Sequence, residues 1–242
     1  MTDRQATGVY SNIEIEAAIQ DGHIIFHPYQ PEHINGSSID VTLGEWFYRT
    51  DHNGFGKVYN PFDKAEVDQY FGEPQKAILH REWCEQTGNE PLANIPLDHP
   101  VIVLEPGERI LAHTQEFIGI LPPGTTSMQS RSTWGRNGVA VCFDAGWGDP
   151  GYVNRWTLEV YNLNSRHSIV LPVGERIAQL VFFHTGEVRG SYADLSGKYT
   201  LGTDLKELID NWHPQQMLPR AYKDERKPLL SLDLPHSPDQ SA

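Results

Sequence analysis

Seven residues capable of chemistry crowd into the stretch 128–162, MQSRSTWGRNGVAVCFDAGWGDPGYVNRWTLEVYN: Arg131, Ser132, Thr133, Arg136, Asp149, Tyr152 and Glu159. The S-R-S-T turn offers two hydroxyls and a guanidinium, a set that can hold phosphate oxygens through charge-assisted hydrogen bonds. D-P-G-Y is a turn carrying a carboxylate and an aromatic ring. The R-W-T-L-E-V-Y segment alternates strictly, so Trp156, Leu158 and Val160 share one face of a strand while Thr157, Glu159 and Tyr161 share the other. A carboxylate in that position is solvated, paired or put to work. The bland alternatives are a solvent-facing strand glutamate, an ordinary turn arginine at 136, a Ser-Thr cap and a plain hairpin turn at D-P-G-Y.

The elements that must position these residues are readable in part. Ser11 and Glu14 in S-N-I-E have the form of a capping box, which predicts a short helix ending at Asp21-Gly22. HIIFHPY reads as a strand stopped by Pro28, and INGSSIDVTLGEWFYRT at 34–50 as a turn followed by a strand, with Asp40 tying down a neighbouring loop. Residues 51–99 mix DHNGFGKVYNPFD with helix-like EVDQYFG and KAILHREWCEQTG, and read as a surface insertion suited to contact with a neighbouring subunit. His80, Glu82 and Cys84 evoke the H-x-E half of a zinc deaminase site, but no P-C-x-x-C follows, so no zinc is expected. From residue 100 the pattern is β. L-E-P-G-E-R-I-L at 104–111 and L-P-V-G-E-R-I-A at 171–178 read as equivalent hairpin turns, with Arg109 and Arg176 solvated or salt-bridged rather than catalytic.

With 242 residues the chain suits one domain with extensions, and 17 prolines and 21 glycines between short apolar runs favour an all-β architecture. A net charge of −13 argues against a nucleic-acid polymer as partner, though not against a small phosphorylated ligand. Two cysteines without paired spacing fit a reducing compartment. The start MTDRQATGVY lacks the features of a secretory signal, and no apolar run approaches the roughly 20 residues of a membrane helix. A soluble, cytoplasmic protein is expected.

Three segments together resemble the dCTP deaminase branch of the dUTPase-like superfamily. That branch reads G-R-S-S-x-x-R-x-G, then x-A-G-x-I-D-P-G-[FWY], then [TV]-L-E-[FLV]-Y-N. Here SRSTWGRNG at 130–138, DAGWGDPGY at 144–152 and TLEVYN at 157–162 match without a gap. The resemblance implies a mainly β, dUTPase-like distorted jelly roll or β-barrel with a short N-terminal helix and a helical insertion. It places the deaminase domain at 1–202, with 51–99 inserted and 203–242 a partly disordered extension. It makes Glu159 the general base and proton shuttle, Arg136 its charge-balancing partner, and the Ala145 carbonyl a holder of the water. Arg131, Ser132 and Thr133 bind phosphate, Asp149 the sugar 3′-hydroxyl, and Tyr152 the sugar face. Gln179 lies near the nucleotide, and Tyr192 and Lys198 belong to a closing tail, with Tyr199 beside Lys198.

Departures are present. Ser130 stands where the motif has glycine, Gly148 where a β-branched residue is usual, and T-L-G follows Lys198-Tyr199 instead of Q-G-Q. Asp144 adds a carboxylate before Ala145, which is expected to repel Glu159, raise its pKa or alter the base accepted. The implied activity is zinc-independent conversion of dCTP to dUTP and ammonia by a homotrimer with sites at its subunit interfaces, Mg2+ arriving on the triphosphate. The competing readings are a dUTPase, a bifunctional enzyme that also cleaves dUTP to dUMP, and a non-catalytic nucleotide sensor.

Overall fold

The capping box at the start of the chain forms as read. In the computed structural model, which describes residues 8–50, 58–190, 192, 199 and 204–225, the Ser11 hydroxyl accepts from the Glu14 N–H and the Glu14 carboxylate accepts from the Ser11 N–H. Helix α1 (Asn12–Gln20) follows and stops before Gly22, whose φ of 72° only glycine adopts readily. Strands β1 (Ile24–His27), β2 (Ile39–Thr42) and β3 (Trp46–Arg49) come next. The segment read as an insertion holds α2 (Lys64–Phe71), the short β4 (Gln75–Lys76) and β5 (Ile78–Leu79), and α3 (His80–Thr87). Then the chain is mostly strand: β6 (Pro100–Leu104), β7 (Arg109–Ile120), β8 (Thr125–Ser130), a short α4 (Ser132–Arg136), β9 (Val139–Ala140), β10 (Trp147–Gly148), β11 (Val153–Asn162), β12 (Ile169–Pro172) and β13 (Arg176–Phe183). Helix α5 (Leu205–Asn211) and two 3-10 turns complete the described residues.

The mainly β expectation holds, but the barrel does not: the described strands form three open sheets. One runs β4-β3-β7-β11-β9 with β1 also on β7, the second β10-β8-β13-β2, and the third β12-β6-β5. The two G-E-R turns are equivalent, yet neither is a hairpin. Strands β6 and β12 pair with each other, whereas β7 and β13 belong to the two larger sheets. Each turn therefore carries the chain from one sheet to another. Gly107 (φ 74°) and Gly174 (φ 81°) supply the left-handed step in each. Each turn is also docked on a strand end. Gly107 N–H donates to the Asn162 carbonyl and Asn162 N–H to the Glu108 carbonyl, while Gly174 N–H donates to the Leu43 carbonyl and Leu43 N–H to that of Glu175.

The main core is apolar residues of all three sheets with Ile15 and Ala18 of α1. A second cluster joins Tyr48 and Leu111 to Val67 and Phe71 of α2 and to Met217 and Leu218. So the segment expected to stand on the surface packs into this chain's own core, because Val67 and Phe71 recur on one face of α2. Residues 204–225 likewise dock, Leu208 against Phe117 and Val153. Of the last twenty-five residues, for which disorder is expected, Leu218 is instead buried and Ala221–Lys223 form a 3-10 turn, while 226–242 lie outside the described residues.

Candidate active site

Strand β11 buries Trp156, Leu158 and Val160 and leaves Thr157, Glu159 and Tyr161 only partly covered, as its alternation requires. The ladder with β7 shifts between Arg155 and Thr157, where the Trp156 N–H donates to the Thr114 hydroxyl (2.9 Å) and its indole N–H to the Ile118 carbonyl (3.0 Å). That irregularity sets the register beyond it: Thr157 opposite His113, Glu159 opposite Leu111, Tyr161 opposite Arg109. The polar face of β11 and the Arg109–Leu111 face of β7 thus floor a cavity of about 550 Å³.

The walls of this cavity come from four places. Ala145 and Trp147 line it, and the D-P-G-Y turn contributes Asp149 and Tyr152. Tyr192 and Tyr199 come from the segment after β13. Tyr59, Pro61 and Phe71, with Met217 and Pro219, complete the lining. Tyr152 meets Trp156 and Tyr192 edge-on at 5.1 and 5.2 Å, and burial pushes its hydroxyl pKa up. Tyr199 is held in place by its carbonyl, which accepts from the Asn154 amide (3.1 Å), and by its hydroxyl, which accepts from the Arg220 N–H (3.1 Å).

Glu159 is the unusual member. One carboxylate oxygen, Oε2, is buried without a hydrogen-bond partner among the described residues. Burial pushes the pKa up to about 7, opposed by the residue's own main-chain N–H and by the Arg109 charge. A carboxyl poised near neutrality and lacking a partner can take a proton and return it, which is the property of a general base and shuttle.

Five of the residues singled out in the sequence meet here: Glu159, Ala145, Asp149, Tyr152 and Tyr192. Five others do not. Ser132, Thr133 and Arg136 sit exposed on α4, and Arg131 lies 3.5 Å from Asp40. Asp40 is buried and also binds Arg176 at 3.2 Å, so its expected structural role and the salt-bridged reading of Arg176 both hold. Gln179 lies on β13, opposite Asp40 on one side and Gln129 on the other. Lys198 lies outside the described residues.

The departures now have physical accounts. A Cβ on Gly148 would overlap the Thr126 hydroxyl and the Trp156 ring, so the indole occupies the space a β-branched residue would fill. The Ser130 hydroxyl accepts from the Val141 N–H (3.1 Å), anchoring the strand-to-helix turn where glycine is usual. Asp144 has φ 76° and is exposed. It is not among the causes that raise Glu159, which is burial. His80 is fully buried, its Nδ1 bonded to the Ile95 carbonyl and its Nε2 accepting from the Leu92 N–H, so both ring nitrogens serve the main chain.

Arg109 is the residue sequence reasoning missed. It was read as a turn arginine, and only the β7–β11 register shows that it shares a face with Glu159. The insertion and C-terminal residues in the wall carried no sequence signal beyond being apolar or aromatic.

Comparison with known proteins identifies the family. A family model described as dCTP deaminase-like matches residues 9–185. A protein of Methanopyrus kandleri named dCTP deaminase, dUMP-forming, is 32% identical over 79% of this chain and 90% of its own. One of the same name from Nanoarchaeum equitans is 31% identical over 77% and 89%. Among solved structures, the 2′-deoxycytidine 5′-triphosphate deaminase of Agrobacterium tumefaciens superposes with a TM-score of 0.51 at 16% identity, over 80% of this chain and 55% of that one, a likeness of fold. The chain belongs to the dCTP deaminase-like family.

Proposed function

We propose that this protein hydrolytically deaminates dCTP, with Glu159 as general base and proton shuttle. The observation that carries the reading is the buried carboxyl of Glu159, one oxygen unpartnered, in a cavity that also presents Asp149 and Tyr152. Water attacks C4 of the cytosine as Glu159 removes one of its protons. Glu159 delivers that proton to N3, then takes the proton of the C4 hydroxyl and passes it to the amino group, so that the C4–N bond breaks, the carbonyl forms and ammonia leaves. The carbonyl of Ala145, a lining residue, accepts a hydrogen bond from the attacking water. Asp149 binds the 3′-hydroxyl and Tyr152 covers the sugar face.

The relatives' names favour dUMP over dUTP as the final product. After deamination a second water attacks the α-phosphorus and diphosphate leaves, with Asp149 placed to orient that water. Magnesium would be held chiefly by triphosphate oxygens and water, since no three His, Cys, Asp or Glu side chains converge among the described residues; when bound it would neutralise phosphate charge.

We propose a homotrimer with sites at its subunit interfaces, and the division of the residues supports a site shared between copies. Arg109 is the only cation among the described lining of the cavity, while Arg131, Arg136 and the Ser132–Thr133 hydroxyls lie elsewhere on the chain. A neighbouring copy that brings its α4 segment to the cavity would supply the phosphate site and place Arg136 near Glu159. No described helix is long and apolar enough to cross a membrane.

The test is product analysis after incubation with dCTP and magnesium, with Glu159→Gln alongside. Ammonia, dUMP and diphosphate, all lost in the variant, are the expected result. Accumulating dUTP would remove the diphosphatase step. Binding of dCTP without turnover would overturn the enzyme reading and leave a nucleotide sensor.

A further inference from the structure

The charge inside the cavity is provided from an unexpected place. Arg109 begins β7, in the next pair from that of Glu159 on the same face of the sheet. Its guanidinium Nη1 donates to the Tyr161 hydroxyl (3.3 Å), and its Cζ lies 5.7 Å from the centre of that ring. Tyr161 is stacked in turn on Phe143 at 4.7 Å. The Arg109 carbonyl accepts from the Thr50 hydroxyl (3.2 Å), which pins the backbone. Of the nearby arginines, Arg49 pairs with Glu108, Arg131 and Arg176 share Asp40, and Arg155 on β11 lies over Phe117 and Trp212 and donates to the Gln115 carbonyl. Arg109 has no carboxylate within ion-pair distance among the described residues, and Glu159 has none of the cations.

We infer that Arg109 is an electrostatic positioning residue for Glu159: tethered by Tyr161, its charge favours the ionised carboxylate across the cavity without capturing it in a salt bridge. A direct pair would hold the carboxylate deprotonated and unable to shuttle. Without a cation, burial would hold it protonated and unable to accept. An arginine held at one remove leaves both forms accessible. The direction of the Arg109 effect on Glu159 agrees, since it opposes the rise due to burial. The assignment of a catalytic consequence rests on the proposed role of Glu159, but the electrostatic link is measurable without turnover.

Other titratable groups face the cavity or the loop behind it: Asp149, Tyr59, Tyr152, Tyr192, Tyr199 and, beside Asp144, Cys142. The measurement must therefore isolate one carboxyl. Infrared difference titration of the full-length protein does so, with the band that disappears in Glu159→Gln assigned to Glu159. In Arg109→Leu the midpoint of that band should move alkaline by about half a pH unit or more, a roughly threefold loss of ionised carboxylate near neutrality. Arg109→Lys, which keeps the charge, should stay near wild type, and Tyr161→Phe, which keeps the ring and loses the tether, should shift less. Arg176→Leu, the equivalent residue of the other turn, should not move it.

An unmoved midpoint in Arg109→Leu overturns the inference, as does an equal shift in Arg176→Leu. Should Arg109→Leu fail to fold, Tyr161→Phe and Arg109→Lys decide: a shift in the first with none in the second sustains the link, and no shift in the first removes it. The acid limb of kcat/KM for dCTP should follow the same midpoints. If the infrared shift occurs with no deamination by wild type, the proposed activity fails and the link stands.

Discussion

The turns at 104–111 and 171–178 share the core G-E-R-I, the same left-handed glycine and the same docking through glycine N–H and glutamate carbonyl. Their arginines nevertheless meet opposite fates. Arg176 reaches a buried aspartate that it shares with Arg131, and Arg109 is laid over a tyrosine inside the cavity that holds Glu159. The difference lies in the neighbouring strands. Beside β13 stands β2, whose register puts Asp40 opposite Gln179 and brings its carboxylate to both arginines. Beside β7 stands β11, whose register puts Tyr161 opposite Arg109 and Glu159 in the next pair on the same face. One sequence motif produces a structural ion cluster in one sheet and an unpaired charge next to a candidate base in the other.

The largest effect expected from breaking this comparison is at the cavity. Glu159→Gln should lower dCTP deamination by about 10²–10⁴-fold, read as ammonia release. The same variant should be more stable at pH 8. Glu159 has a folded pKa of about 7 against 4.5 for the free side chain, so the wild type loses stability as pH rises from 4.5 to 7. The variant escapes that loss, by about 2–3 kcal/mol in denaturant titrations at pH 8, and the advantage should vanish below pH 4.5. A variant no more stable at pH 8 would mean that Glu159 is not desolvated.

At the ion cluster the expectation has the opposite sign. Asp40→Asn leaves two adjacent guanidiniums without their shared carboxylate and should destabilise by about 2–3 kcal/mol, the arginines' partial exposure keeping the figure at the lower end. Equal denaturation midpoints for Asp40→Asn and wild type would refute the contrast. Next in size is Gly148→Val, which reinstates the residue type usual in the motif and should cost about 1–3 kcal/mol in thermal or denaturant unfolding. Trp156→Val in the same chain should recover part of that loss, because the indole is what fills the space. Absence of coupling between the two would show that the overlap with Thr126 alone excludes the side chain. The smallest effect is the midpoint shift in Arg109→Leu, which distinguishes the two turns directly.

What the sequence alone determined is local. The capping box of Ser11 and Glu14, the glycines of the turns and the parity of β11 are set by backbone geometry over a few residues, and each appears where it was read. The motif segments likewise placed Ala145, Asp149, Tyr152 and Glu159 around one cavity. Only the tertiary structure decided the rest. It turned two expected hairpins into crossings between sheets, set Gly148 against Trp156, and directed Arg109 inward and Arg176 toward Asp40. It also brought Tyr59, Phe71 and Met217 into the lining of the cavity that holds Glu159. These outcomes depend on which distant strands pair and in what register. Burial, and with it the ionisation of a carboxylate, is a property of neighbours far apart in the chain, which no local pattern encodes.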